Sequence, residues 1–186
     1  MSQVTIVGGG AAGLATAIFL ARRVPGVCVS VLDGARRLGA KILVSGGGRC
    51  NVTNRVVTAA DYWGGDRRII ASVLAAFPVE ATVAFFAELG VTLHEEEFGK
   101  LFPDSHRARS VLDALLAEAA RLGVSIVAGD RVSDVEPLLQ QGPVVLATGG
   151  RSLPKSGSDG EGLRIAASLG HTIVETTPAL VPLVLG

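Results

Sequence analysis

The sequence predicts an α/β fold with a mainly parallel sheet and flanking helices. Short β-branched apolar runs alternate with longer stretches rich in alanine and leucine, and most of these stretches end at a glycine or a proline. Buried parallel strands are nearly continuous apolar runs, and helices usually connect them. The chain has 186 residues, of which 48% are apolar and 18% are charged. This length and composition predict one packed domain and exclude intrinsic disorder.

The first 33 residues predict one βαβ unit. Residues 4–7 predict a buried strand, residues 11–23 have the composition of a helix, and residues 27–32 predict a second strand that ends at Asp33. The uncharged run over 4–21 has the length of a membrane span. Its four glycines and the two arginines after it favour a strand, a turn and a helix instead, so we predict no membrane association and no export signal.

The rest of the chain continues this alternation. Helices are predicted over residues 66–77, 79–89, 107–122 and 160–169, and strands over 124–128, 144–147 and 172–175. Residues 91–103 predict a hairpin or a meandering loop, and the glycine-rich residues 34–55 predict a loop. The final residues, 178–186, are apolar, which we interpret as the mark of a partial chain.

Gly8, Gly10 and Gly13 form a G-x-G-x-x-G motif between the first strand and the first helix, as dinucleotide binding requires. Gly8 allows a tight turn, Gly10 lets a pyrophosphate approach the backbone, and Gly13 allows the helix to pack closely on the strand. Asp33 lies 20 residues after Gly13, where a carboxylate accepts hydrogen bonds from an adenosine ribose and repels a 2′-phosphate. The alternative is that Asp33 only forms the turn before Gly34. The motif itself leaves FAD and NAD open.

A second glycine-rich segment, SGGGRCN at residues 45–51, follows where simple NAD dehydrogenases usually continue into another strand and helix. Together with GGGAAGL at residues 8–14, it resembles the BaiN/YhiN-type family of FAD-dependent oxidoreductases, also called aminoacetone oxidase-like flavoproteins. Further segments with this resemblance are FGKLFPDS (98–105), LATGGRSLPKSGSDGEG (146–162) and PALVPL (178–183). The resemblance covers nearly the whole chain.

The resemblance implies that residues 1–186 form a Rossmann-like FAD-binding domain of a flavin-dependent oxidoreductase. Family members are longer, with an inserted domain and a C-terminal flavin segment, so we expect this chain alone to bind FAD poorly and to be inactive. The implied cofactor-binding residues at the pyrophosphate are Gly8, Gly10, Ala11, Ala12 and Gly13, with Asp33 at the ribose and Lys41 and Arg49 near the phosphates or adenine. Those along the cofactor are Ser45, Gly46, Gly47, Cys50 and Asn51. Val132 would meet the adenine, and Thr148, Gly149 and Gly150 would close over the cofactor. Hydride would come from NAD(P)H or from the substrate.

Other candidate residues carry weaker signals. Cys50 is expected to be structural or to line the flavin, and Cys28 to be a core thiol. His94, His106 and His171 lack metal-ligand spacing, so no metal site is predicted. No catalytic acid or base stands out.

Charge and cysteine content limit the partners. The 17 basic and 17 acidic residues balance, which argues for a small-molecule substrate and against nucleic acid. Two cysteines suit a reduced, cytoplasmic chain, and the oligomeric state stays open. The alternatives to a flavoenzyme are an NAD-binding dehydrogenase or sensor domain, and a nucleotide-binding module without catalysis.

Overall fold

The computed structural model describes residues 3–178 of the chain. The strands are β1 (Gln3–Val7), β2 (Cys28–Asp33), β3 (Thr53–Asn54), β4 (Leu93–Glu95), β5 (Lys100–Pro103), β6 (Ser125–Ala128) and β7 (Val144–Leu146). The helices are α1 (Ala11–Arg23), α2 (Ala40–Val44), α3 (Arg67–Ala76), α4 (Val79–Glu88), α5 (Ala108–Arg121), α6 (Glu136–Leu139) and α7 (Glu161–Ser168). The apolar residues 179–186 lie outside the described residues. The structure therefore does not test the interpretation of this apolar end as the mark of a partial chain.

The main sheet contains four parallel strands in the order β6-β2-β1-β7. Val7 lies opposite Leu32 of β2 on one side and opposite Leu146 of β7 on the other. The predicted α/β fold with a parallel sheet is confirmed. Because the chain leaves β1 toward β2 and returns on the far side at β7, the strand order reverses at β1. Ligands of open α/β sheets bind outside the carboxyl ends of the strands at such a reversal.

Strand β1 is buried on both faces, which explains its continuous apolar sequence. Ile6 belongs to a core that includes Leu14 of α1 and Leu112 of α5, all fully or almost fully buried. Val7 points to the opposite face, where it packs with Val135 and Ile165. Each such buried side chain contributes about 1.5–3 kcal/mol. The glycine loop after β1 therefore stands on a rigid strand.

An ion cluster joins the two helices that cover the first face. Arg22 at the end of α1 and Arg121 in α5 both bind the buried carboxylate of Glu118, at 2.7 Å and 2.6 Å. Hydrogen bonds from Arg121, followed by those from Arg22, outweigh burial and lower the pKa of Glu118 to about 2. Arg22 also reaches Glu88 of α4 at 3.0 Å, so the cluster connects three helices.

A second, antiparallel sheet has the order β3-β5-β4. Leu93 pairs with Pro103 and Glu95 with Leu101, so residues 91–103 form a hairpin, which was one of the two predicted arrangements. The turn of this hairpin includes Phe98 with a φ of +63°, in the left-handed region. Strand β3 of this sheet directly follows the SGGGRCN segment in the chain and so connects that segment to the hairpin.

Three expectations from the sequence were wrong. The predicted loop over 34–55 contains α2 and the short strand β3, because Gly39 takes a left-handed φ of +70° and starts a helix after it. Residues 172–175 form no strand and are exposed. Cys28 is exposed rather than a core thiol, since it is the first residue of β2 and its neighbour Val29 faces the core instead.

The segment Arg67–Glu88 is apolar and long enough, by length and composition alone, to cross a membrane. The structure divides it into two helices of 10 residues each, because Pro78 interrupts the run. A helix of that length spans about 15 Å, half of the roughly 30 Å of a bilayer core. The segment therefore gives no case for a membrane span.

Candidate functional site

A cleft of ≈ 1340 Å³ opens at the carboxyl ends of β1, β2 and β7. Pockets for drug-sized ligands usually measure about 300–1,000 Å³, so this cleft has room for a larger, extended molecule. Of the residues predicted to bind a cofactor, the lining includes Gly8, Gly10, Ala11, Ala12, Asp33, Lys41, Ser45, Cys50, Asn51, Val132, Thr148 and Gly149. Gly13, Gly46, Gly47, Arg49 and Gly150 do not line it.

Gly8 and Gly13 are required by the fold. Gly8 has a φ of +110°, and a Cβ atom there would lie 2.5 Å from the carbonyl oxygen of Ala147. A Cβ atom at Gly13 would overlap the carbonyl oxygen of Gly8. These contacts match the turn and the helix packing that the sequence predicts for the two glycines. Neither glycine needs a ligand to explain it.

Gly10 differs, because the fold does not require a glycine there. Its φ of −82° and ψ of −169° are extended values that any residue adopts. A Cβ atom at Gly10 would have no heavy atom within 4 Å. Gly10 lines the cleft and is the N-cap of α1, which has no side-chain cap and no acidic residue in its first turn. The free N–H groups and the partial positive charge of this 13-residue helix thus face a space that is open to an anion.

Asp33 holds the glycine loop against the end of β2. Its Oδ2 accepts a hydrogen bond of 2.6 Å from the backbone N–H of Gly9, and its Oδ1 accepts one of 2.7 Å from that of Ala35. The bond to Ala35 is the predicted turn contact, whereas the bond to Gly9 was not anticipated. Each carboxylate oxygen keeps a second lone pair, so Asp33 can still accept a ribose hydroxyl at the cleft.

The SGGGRCN segment presents the residues at its two ends to the cleft. Gly46 and Gly47 take left-handed φ values of +54° and +68°, and the chain closes with a 2.9 Å bond from the Cys50 N–H to the Ser45 carbonyl oxygen. This loop turns Ser45, Cys50 and Asn51 toward the cleft, and it leaves the two glycines on the exposed side. The tightness of the turn therefore accounts for the glycines.

The Cys50 thiol is buried at the edge of the cleft. Burial raises its pKa, and a hydrogen bond with Ser45 offsets only part of this effect. A thiol with a raised pKa stays protonated at neutral pH, and the protonated form is a poor nucleophile. The chemistry of this site therefore favours a lining thiol over a reactive one.

Lys41 supplies positive charge inside the cleft, which Arg37, Arg131 and Lys155 also line. It projects from α2 toward the loop after β7, so that a Cβ atom at Gly149 would lie 2.9 Å from its Nζ. That loop is held by a hydrogen bond of 3.3 Å from the Ser158 hydroxyl to the Thr148 carbonyl oxygen. The ammonium group thus lies across the cleft between its two walls, where it can offset the charge of a phosphate.

Arg49 does not reach the cleft. Its Nη1 donates to both carboxylate oxygens of Glu96, at 2.6 Å and 2.8 Å, and its guanidinium lies 4.3 Å from the centre of the Phe102 ring. These bonds are the main cause of the lowered pKa of Glu96. The resemblance implied that Arg49 lies beside the phosphates or the adenine, but its side chain points to the β4–β5 hairpin instead. It does so because Glu96 and Phe102 offer it a carboxylate and an aromatic face there.

The family model of the HI0933-like protein Rossmann domain matches residues 2–182 of the chain. The chain belongs to the HI0933-like family. This match confirms the resemblance inferred from the glycine-rich segments, and it confirms the Rossmann-like fold class.

The relatives of this HI0933-like chain include a bile acid reductase and a ribosomal RNA dihydrouridine synthase. The chain is 38% identical over 195 residues to the 3-dehydro-bile acid delta(4,6)-reductase of Clostridium scindens, a match that covers 98% of this chain and 47% of that protein. It is 35% identical over 197 residues to the ribosomal RNA dihydrouridine synthase of Haemophilus influenzae, covering 97% of this chain and 48% of that protein. The HI0933-like chain thus corresponds to about half the length of these relatives.

Solved structures with a similar fold are flavoprotein oxidoreductases. A flavocytochrome c3 fumarate reductase aligns with a TM-score of 0.59 at 20% identity, over 90% of this chain and 40% of that one. An E. coli quinol fumarate reductase aligns with a TM-score of 0.58 at 14% identity, over 90% of this chain and 37% of that one. At these identities the similarity concerns the fold alone. The HI0933-like chain therefore shares its fold with these two fumarate reductases.

Proposed function

We propose that this chain is the FAD-binding part of a flavin-dependent oxidoreductase and that it binds FAD in the cleft at the ends of β1, β2 and β7. The observation that carries the proposal is Gly10, a cleft-lining glycine for which neither backbone conformation nor packing gives a reason. Close approach of a phosphate to the helix N-terminus supplies that reason. When bound, FAD supplies hydride transfer, and the protein positions it.

The residues divide along the cleft by their chemistry. Asp33 and Val132 are proposed to hold the adenosine end of the cofactor. The N–H groups at the start of α1, together with Lys41, are proposed to hold the pyrophosphate. Ser45, Cys50 and Asn51 are proposed to line the remainder of the cofactor. The size of the cleft supports an extended dinucleotide rather than a single nucleotide.

We further propose that the whole protein reduces a carbon–carbon double bond. The names of the two relatives, a delta(4,6)-reductase and a dihydrouridine synthase, both describe adding hydrogen to such a bond. NAD(P)H is the proposed donor, a small molecule the proposed substrate, and the cytoplasm the proposed location. The balance of 17 basic and 17 acidic residues in this part of the protein supports a small molecule over RNA, although two relatives are named for ribosomal RNA.

Equilibrium titration of the whole protein, of which this chain is the proposed FAD-binding part, with FAD, NAD and ADP-ribose tests the cofactor. Binding of FAD at least tenfold tighter than NAD, with ADP-ribose competing for the same site, supports the proposal. The reverse order supports an NAD-binding domain, and binding of neither FAD nor NAD contradicts the assignment of the cleft. Oxidation of NADPH or NADH by the whole protein, with a conjugated enone or a uridine-containing RNA as acceptor, then separates the substrate classes.

A further inference from the structure

Three side chains with metal-ligating atoms come together at the base of the β4–β5 hairpin. His94 lies in β4, Glu96 follows it, and His106 precedes α5 after the hairpin has returned. Their ligating atoms all lie within 4.8 Å of one another. The sequence separates the two histidines by 12 residues, which is why their spacing gave no signal of a metal site. The hairpin pairing brings them together.

The distances in this cluster are close to those of a coordination sphere. Nε2 of His94 lies 3.3 Å from Oε1 of Glu96, and Nδ1 of His106 lies 4.0 Å from the same oxygen. Tetrahedral ligands with bonds of about 2.0–2.2 Å lie roughly 3.3–3.5 Å from one another. The His94–Glu96 pair already has this separation, and the other two pairs lie within 4.8 Å, with the exposed His106 ring as their shared member.

A second carboxylate orients the His94 ring. Nδ1 of His94 lies 3.0 Å from Oδ1 of Asp104, the residue that follows β5. Histidine ligands of metals usually donate the other ring N–H to a carboxylate, which fixes the tautomer and leaves the second nitrogen free to bind. In the metal-bound form, donation of Nδ1–H to Asp104 leaves Nε2 of His94 as the nitrogen that binds the ion.

We propose that His94, Glu96 and His106 bind one divalent transition-metal ion of the zinc class, with Asp104 as the positioning residue for His94. Two imidazoles and one carboxylate favour zinc, nickel or cobalt over magnesium or calcium, which prefer all-oxygen sites. The guanidinium of Arg49 already donates to both carboxylate oxygens of Glu96, so an ion at this site shares Glu96 with Arg49. The ion would tie the hairpin to the start of α5.

This site is separate from the proposed cofactor cleft. None of its three ligands or Asp104 lines the cleft at the ends of the parallel strands. Metal binding can therefore be measured without FAD and can succeed or fail independently of flavin binding. The competing explanation is a hydrogen-bonded pair of histidines at a charged turn, which needs no ion.

Calorimetric titration of the untagged, chelator-treated chain with Zn²⁺ tests the proposal, and Mg²⁺ serves as the hard-cation control. We expect one Zn²⁺ per chain and no Mg²⁺ heat. His94→Ala should weaken Zn²⁺ binding at least tenfold. His106→Gly should do the same without strain, because His106 has a φ of +51° that glycine adopts readily. His171→Ala, which removes the exposed histidine outside the cluster, is the matched control and should bind as the parent does.

Two further measurements identify the ligands. Co²⁺ bound in place of Zn²⁺ should give visible absorption bands of a four- or five-coordinate ion, and His94→Ala should change or abolish them. Asp104→Asn should weaken binding less than His94→Ala does, since it alters only the orientation of the ring. Absence of Zn²⁺ binding by the parent chain, or equal weakening by His94→Ala and His171→Ala, would overturn the proposal.

Discussion

Replacement of Gly10 by valine isolates ligand binding from folding. A Cβ atom at this position meets no heavy atom within 4 Å, and the backbone is already extended, so we expect the folded protein to accommodate the side chain. The remaining cost is the poorer N-cap preference of valine, about 1 kcal/mol. In the cleft, however, the branched side chain occupies the space through which a phosphate reaches the first N–H groups of α1.

The expected loss of affinity is larger than the loss of stability. Hydrogen bonds to a charged group contribute about 1.5–3 kcal/mol each, and the variant removes at least one of them. Because about 1.4 kcal/mol corresponds to a factor of ten in Kd, FAD and ADP-ribose should bind at least tenfold more weakly to Gly10→Val. Calorimetric titration measures the affinity, and thermal unfolding measures the stability of the same samples.

Two comparison variants make the result specific. Ala117→Val adds the same branched group on the exposed face of α5 and should leave the Kd unchanged. Gly13→Ala should behave in the opposite way to Gly10→Val and destabilise the fold, because its Cβ atom would overlap the Gly8 carbonyl oxygen. A folded Gly10→Val variant that binds FAD and ADP-ribose as tightly as the parent would refute the placement of the pyrophosphate at α1.

Three further predictions rest on individual contacts. Asp33→Ala removes the hydrogen bonds to two backbone amides and the carboxylate that faces the ribose, so ADP-ribose affinity should fall at least tenfold in titrations. The difference in affinity between ADP-ribose and its 2′-phosphorylated form should become smaller. Equal weakening of both ligands would mean that Asp33 only holds the glycine loop. The pKa of Glu118 is about 2 in the folded chain against an ordinary glutamate value of 4.5, so its stabilisation is present above about pH 4.5 and is lost as pH falls toward 2. Solvent access to its arginine partners limits this contribution to about 1–2 kcal/mol, and in denaturant titrations Glu118→Gln should remove both the contribution and its pH dependence. Cys28 is exposed and Cys50 is buried with a raised pKa, so a thiol reagent should modify Cys28 at least tenfold faster; mass spectrometry of the labelled peptides measures the ratio, and equal rates would contradict the burial of Cys50.

Local sequence signals predicted the βαβ unit well. The helix predicted over 11–23 has the same bounds in the structure, and the strands on either side differ from prediction by one residue at their ends. The glycine motif, the apolar runs and the paired arginines at the end of α1 are all contained in the sequence of this unit. Agreement between these signals explains why the bounds could be predicted without knowledge of the rest of the fold.

Features that depend on distant residues could not be predicted in this way. The partner of Arg49 is Glu96, 47 positions later, and only the pairing of β5 with β3 and β4 brings them together. The approach of His94 to His106 has the same origin. Cys28 has an apolar sequence environment, yet it starts its strand at the edge of the core, and a local pattern does not show where a core ends.

The two glycine-rich segments show how a structure separates glycines that serve the fold from those that serve a ligand. Gly8 and the three glycines at 46–48 have left-handed φ values, and side chains at Gly9 and Gly13 would collide with Leu38 and with the Gly8 carbonyl oxygen. Conformation or packing therefore accounts for each of these glycines without a bound ligand. Gly10 satisfies neither criterion, yet it lies at the N-terminus of α1 in the wall of the cleft. A sequence motif assigns all of its glycines to the cofactor together, whereas conformation and packing single out Gly10 as the one for which we propose a role in ligand binding.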